Sequence, residues 1–191
     1  MRRLLFIIFI FSVGLICLQC SKSTEPESPS PPVYRTPAEL TTAEKSLIES
    51  SNQFSFKLFR EIANRADPDS NIFISPLSVS YALGMAYNGA AGETRDQMAD
   101  AMEINGLSIE ELNQSYRGLT DILTHLDPNV IFNIANSIWY RKYPPKEIVP
   151  SFIETSRTYF DALVREIDFQ TPWAADTINN WVYLNTNGKI D

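Results

Sequence analysis

The sequence predicts an α+β fold, rich in helix and sparing in strand. Three observations carry this. Several segments place apolar residues at helical spacing behind a Ser or Thr that has Glu three positions on, the reciprocal cap of a helix N-terminus. Two other segments alternate or run uncharged, as strands do. Strands and helices do not alternate regularly, and no glycine fingerprint follows a strand, which argues against a dinucleotide-binding architecture. With 191 residues, 44% hydrophobic and 20% charged, the chain is long enough for one domain with its own core.

At the N-terminus, MRRLLFIIFIFSVGLICLQCSKS sets Arg2 and Arg3 before an apolar run from Leu4 to Leu18 that only Ser12 and Gly14 interrupt. The run falls short of the roughly 20 residues a transmembrane helix needs and suits an export signal. A Cys closing such a run, followed by Ser21, resembles the signal of bacterial lipoproteins. That resemblance implies removal of residues 1–19, lipidation of Cys20, and export to the outer face of a bacterial membrane or the cell surface. Cys17 and Gln19 stand where the pattern favours Leu and a small residue. A plain secretion signal, giving a periplasmic or secreted product, and a short uncleaved anchor therefore stay open. Residues 20–40 read as a linker with Pro at 26, 29, 31, 32 and 37. Pro-rich chain is extended and semi-rigid, and this one has little apolar area to bury.

The domain is expected over residues 41–191. Thr41 and Glu44 form a capping box, followed by Leu47, Ser51, Phe54, Leu58 and Ile62 at helical spacing, with Phe59 widening that face. The helix should end before the turn cluster DPDSN. NIFIS, residues 71–75, reads as a short strand. Ser75 caps the next helix, and Pro76 takes its first position, where a missing N–H costs nothing. That helix runs to about Asn88 without a Lys, Arg, Asp or Glu. It is expected to be central, buried on all sides beneath a sheet, with Ser78, Ser80 and Gly84 allowing close approach. Thr94 to Gln97 reads as a further cap. Ser108 and Glu111 make another, ahead of the stripe Ile109, Leu112, Tyr116, Leu119, Leu123 and Leu126, which stops at Asp127-Pro128. VIFNIANSIWY, residues 130–140, is uncharged on both faces and reads as a strand covered on both sides. PSFIETSRTYFDA is a short helix and LVREIDF a strand by alternation. Thr171-Pro172 opens the last helix, and Gly188 stops it.

NIFISPLSVSYALGMAYNGAAGETRDQM resembles the second-helix signature of the serpins, the serine-protease-inhibitor superfamily. Asn71, Ser75, Pro76, Ser78, Ala82, Leu83, Gly89, Ala90, Gly92 and Thr94 carry the likeness. NIANSIWY is similar to the second strand of that family's main sheet, YFDALVREIDF to its next helix and strand, and INNWVYLNTNGKI to the helix that crosses the sheet. The likeness runs over residues 45–191 in family order. It implies a serpin-like N-terminal half, helix-rich, with strands of the main sheet, incomplete at the C-terminus. It also implies inhibition of a serine protease, or of a cysteine protease, by a reactive loop. Once cut, that loop inserts into the main sheet as an extra strand and drags the acylated protease along. Asn71, Ser75, Pro76 and Ser78 would then belong to the shutter region, where the sheet parts over the second helix. Read from the residues alone, Ser75 is a helix cap and Ser78 a small residue at a tight crossing, and both roles are compatible. The family's third and fifth main-sheet strands, hinge and reactive loop have no counterpart here. The reactive centre is expected to be absent from this chain, which reads as a truncated product or a genuine half-length protein.

A net charge of −7 argues against a nucleic-acid partner, which wants clustered Lys and Arg. Cys17 and Cys20 lie outside the domain, so it holds no internal disulfide. His125 is the sole histidine and, without thiols or a carboxylate cluster, is weak evidence for a metal; no cofactor is expected. A hydrolase triad would need a Ser near His125 with an acid orienting the ring. His125 sits instead at a helix end beside Asp127, a favourable place for a cation, and SPLS lacks the nucleophile elbow of a hydrolase. The chain is therefore not expected to be an enzyme. Some serpins bind glycosaminoglycans through a basic face of the fourth helix. Here that segment carries Arg117 and His125 against Glu110, Glu111 and Asp121, so this partner is not expected. The rival reading is a non-inhibitory surface lipoprotein with a binding or structural role.

Overall fold

Thr41 Oγ1 accepts the backbone N–H of Glu44 at 3.1 Å, and Glu44 Oε2 accepts that of Thr41 at 2.7 Å. This reciprocal cap starts α1, Thr42–Ala63. The structure, a computed structural model, describes residues 34–141 and 148–190; Cys20 and the export segment lie outside them. A single 3-10 turn, Pro37–Glu39, precedes α1. After it come α2 (Pro76–Gly89), α3 (Gly92–Met102), α4 (Ile109–His125), β1 (Ser137–Tyr140), α5 (Pro150–Phe160), β2 (Leu163–Glu166) and α6 (Ala174–Asn185). β1 and β2 pair in parallel, Ser137 opposite Leu163 and Tyr140 opposite Glu166. Parallel neighbours need a crossover, and α5 lies in the connection. The architecture is α+β, as expected.

α2 is the central helix: α1, α3, α4 and α5 all pack against it. Its Tyr81, Met85 and Tyr87 join Leu47 of α1, Met102 of α3, Leu112 and Tyr116 of α4, Phe160 of α5 and Val164 of β2 in one core. Tyr81 and Tyr116 meet edge-to-face with centroids 4.9 Å apart, and Phe160 lies 5.1 Å from Tyr116, geometries that aromatic quadrupoles favour. The crossing of α2 and α4 depends on Gly84, where a Cβ would stand 2.7 Å from Tyr116 Cε2. Beside it, Asn88 and Asn113 exchange amide hydrogen bonds of 2.8 Å in both directions. Ser80 Oγ and Tyr116 Oη lie 2.9 Å apart, and Tyr116 Oη donates to the Ser80 carbonyl at 3.1 Å. Such satisfied polar pairs fix helix register without leaving a buried group unpaired.

Several sequence expectations change. NIFIS is extended but pairs with nothing among the described residues, and Phe73 is 99% exposed. A strand exists only where a neighbour takes its N–H and C=O groups. For the same reason 131–135 is extended without a ladder among the described residues. Asn136 gives only its carbonyl, to the Leu163 N–H at 2.9 Å, and β1 is only the last third of the expected strand. α2 is buried on one side, not on all, because no sheet among the described residues covers its far face: Val79, Ala82 and Ala86 are exposed. Phe59 does not widen the buried face of α1; Leu47 and Phe54 are buried while Phe59 is 47% exposed. Thr94 is not a cap, because α3 starts two residues earlier, behind Ala91. Gln97 instead donates to Glu93 one turn back, at 2.9 Å. α6 begins at Ala174, after a turn in which Thr171 donates to the Asp168 carbonyl. At its end Asn187 takes the left-handed conformation, and the Gly188 N–H reaches the Tyr183 carbonyl at 2.8 Å. Gly188 takes positive φ as well, 70°, so the helix stop expected at Gly188 is made by Asn187 and Gly188 together.

Candidate functional site

The open face of α2 forms one wall of a groove of about 790 Å³. The extended run 131–137 forms the second wall and the C-terminal end of α6, with Lys189 and Ile190, the third. Ser75 and Ser78 lie at its rim. Ser75 Oγ accepts the Ser78 N–H at 3.4 Å, and the two hydroxyls share a hydrogen bond of 2.8 Å. Pro76, between them, is the first residue of α2. Asn71 is exposed at the start of the extended segment leading into the helix. The structure therefore brings Ser75, Pro76 and Ser78 together at one corner, while Cys20 lies outside the described residues.

Non-local geometry that the sequence does not display completes the groove. Trp181 of α6 meets Trp139 of β1 edge-on, with centroids 6.3 Å apart and planes inclined by 78°. Trp139 is held in turn by a 2.9 Å bond from Nε1 to Ser137 Oγ and by Arg165, whose guanidinium lies 5.9 Å from its ring centroid. Two Trp residues in separate amphipathic segments were the available signal, but spacing alone does not pair them. The Asn136 amide donates to the Phe160 carbonyl at 2.8 Å, tying the run 131–136 to the end of α5 just before β1 begins. Inside the α2 wall, burial pushes the Tyr116 phenol up to about 12 and raises that of Tyr81 as well. Both are neutral hydrogen-bonding groups at ordinary pH.

The site holds hydroxyls, amides and backbone outside any ladder of the described residues around an apolar floor of Leu77, Ala82 and Met85. The two serine hydroxyls bond each other, and among the described residues the groove lining includes no imidazole or carboxylate. Among the described residues, no group of three or more His, Cys, Asp or Glu is placed to hold a metal ion. Chemically, the groove offers an uncharged helix face, with Lys189 its one charged lining residue, next to an extended segment, 131–135, whose N–H and C=O groups have no ladder among the described residues. That is what an additional β-strand requires: main-chain bonds along one side and an apolar face beneath.

A family model described as "Serpin (serine protease inhibitor)" matches residues 49–191, and the chain belongs to the serpin family. It is 34% identical over 149 residues to Iripin-1 of Ixodes ricinus, covering 75% of this chain and 37% of that one. It is 26% identical to an uncharacterized serpin-like protein of Methanosarcina acetivorans, over 100% of this chain and 45% of that one. It is 29% identical to human leukocyte elastase inhibitor over 76% of this chain and 38% of the relative. Among solved structures, native protease nexin-1 with heparin superposes with a TM-score of 0.68 at 28% identity, covering 78% of this chain and 39% of that one. Human glycosylated kallistatin, at 22% identity, shares the fold with a TM-score of 0.71 over 78% of this chain and 40% of that one. The chain thus spans less than half the length of these relatives.

Proposed function

We propose that this chain is the N-terminal part of an exported endopeptidase inhibitor of the serpin type. Its target is a serine protease, with cysteine proteases the second class, and it carries out no catalysis of its own. The observation that carries the proposal is the groove: an uncharged helix face beside an extended segment, 131–135, without a ladder among the described residues, inside a match to an inhibitor family. Serpin loop insertion is itself a recognised instance of strand addition to a sheet, and this is the wall over which a main sheet would part. Asn71, Ser75, Pro76 and Ser78 are the proposed shutter residues. The Ser75 and Ser78 hydroxyls exchange one set of hydrogen bonds for another as strands separate. The bait residue and the protease contacts are proposed to lie outside residues 1–191. Cys20 is the proposed lipidation site, with residues 20–40 as spacer at a bacterial membrane or cell surface. One acyl chain gives marginal anchoring, so a multiply acylated Cys is implied.

A rival reading has its own support. Rabbit corticosteroid-binding globulin, a family member not named as an inhibitor, is 32% identical over 149 residues. Incubating the whole gene product with a panel of serine and cysteine proteases decides between them. A protease-linked band stable to denaturing electrophoresis is the expected result. Cleavage without such a band throughout the panel would favour a non-inhibitory surface lipoprotein. Mass spectrometry of the mature N-terminus tests the anchor: a diacylated or triacylated Cys20 is expected, and a free N-terminus elsewhere overturns it.

A further inference from the structure

Arg35 stands ahead of α1 and lays its guanidinium on Glu44, in the first turn of that helix. Nη1 donates to Oε1 at 2.7 Å and Nη2 to Oε2 at 2.9 Å, a bidentate fork. Nη2 also donates to the Glu39 carbonyl at 3.0 Å. The Glu44 carboxylate is meanwhile the acceptor of the α1 capping box. A helix cap does not need this arrangement. The Ser108–Glu111 box of α4 has the same reciprocal bonds and stays exposed, with no arginine. Glu44, by contrast, is 3% exposed. Its cover comes from α4 at Gly118, where a Cβ would lie 1.9 Å from Glu44 Oε1 and 2.7 Å from Arg35 Nη1. The absent side chain is the seat of the ion pair. Alongside, the Tyr34 ring stacks on His125, the last residue of α4, at 3.7 Å and 12°. The entering chain therefore grips α1, the middle of α4 and the end of α4 within two consecutive residues.

We propose that Tyr34 and Arg35, with Glu44, Gly118 and His125, form a clasp. It pins the incoming chain to the α1–α4 face ahead of the first helix and guards the Arg35–Thr36 peptide bond. A trypsin-like protease must take the guanidinium into an acidic pocket of its own. Here that guanidinium is already held by a carboxylate and a carbonyl. Cleavage, which would sever the domain from its N-terminal segment, has to wait for the clasp to open. Its rate then follows the open population. The clasp does not depend on the inhibitor reading.

The test uses the protein as its gene encodes it, digested with trace trypsin. Mass spectrometry follows the initial rate at Arg35–Thr36 relative to Lys22–Ser23 in the same Pro-rich segment. In the wild type the Arg35 site is expected to lag. Arg35→Lys keeps a trypsin site but replaces the fork by a single ammonium, and should raise the ratio by about fivefold or more. Glu44→Gln and Gly118→Val should do the same. Trypsin's own preference for arginine works against a rise in the lysine variant, so a rise is informative. An unchanged ratio in Arg35→Lys overturns the proposal. So does a rise matched by equal new cleavage at Lys45 and Lys57, which would mean global unfolding and not a local clasp. If Glu44→Gln or Gly118→Val fails to fold, Arg35→Lys decides alone, since Arg35 lies outside every helix and keeps a 35% exposed side chain.

Discussion

α4 and α2 cross in contact, yet one is explained by its own sequence and the other is not. α4 has a polar face and an apolar face. Its apolar side, with Leu112, Tyr116 and Ile122 buried, points at the core, and Glu110, Glu111 and Gln114 stand in solvent. α2 carries no charge anywhere, yet Val79, Ala82 and Ala86 are exposed. An uncharged helix is one whose whole circumference suits a covered environment. What differs between the two helices is thus not local preference but the cover each has. The apolar face of α4 is covered within the described residues at Leu112, Tyr116 and Ile122, and α2 finds cover there on one side only.

The largest way to break this comparison is at the crossing itself. Gly84→Val would place methyl groups where Tyr116 already stands and should cost about 2–3 kcal/mol, read as a lower denaturant midpoint. No change would mean that the helices do not cross this closely. Next, Tyr116→Phe removes a buried hydroxyl bonded to Ser80 and should cost about 1–2 kcal/mol. Ala82→Asp sharpens the contrast, because its outcome depends on cover. With the groove open the carboxylate is solvated, and the melting temperature should move by no more than about 2 °C. In a product whose sheet closes over α2, the same change buries a carboxylate and should be severely destabilising. Equal effects in both would show that the groove face is never covered.

The smallest effect concerns acid. Glu44 is held below the usual carboxylate range chiefly by its hydrogen bonds from Arg35, Glu39 and Glu111 by bonds from Thr36 and Ser108. Depressed folded values mean these groups stabilise the fold above the ordinary value of 4.5. That contribution is lost as pH falls from there through the lower folded values. Ser108→Ala, at the start of α4, should cost about 1 kcal/mol at neutral pH and shrink the loss on acidification. An unfolding midpoint that is flat between pH 6 and pH 3 would contradict the linkage.

Most caps were legible in the sequence because a cap is made by residues three apart; Thr94–Gln97 has the spacing but lies inside α3. Thr41–Glu44, Ser75 ahead of Pro76, and Ser108–Glu111 all form as read. The serpin likeness was legible too, and so was most of the α4 stripe, since both are patterns along the chain; Leu126 is exposed, however, and Ile122, outside the expected stripe, is buried in its place. What did not show was anything that depends on a distant partner. Residues 71–75 and 131–136 have strand composition, but composition does not supply a neighbour. Glu44 reads as a cap, and nothing in its spacing reveals the Arg35 fork or the Gly118 seat. Of the proposed shutter, the Ser75–Ser78 corner followed from the cap rule, whereas the α6 wall of the groove rests on two tryptophans far apart in sequence.

Those two tryptophans have a practical consequence. Indoles in edge contact at a steep mutual inclination couple optically, so the Trp139–Trp181 pair should give a distinct near-ultraviolet circular dichroism band. Such bands vanish when fixed side-chain packing is lost even if helices persist. The protein thus carries its own spectroscopic gauge of whether α6 is seated on β1, and any event that lifts that helix should be visible without an added label.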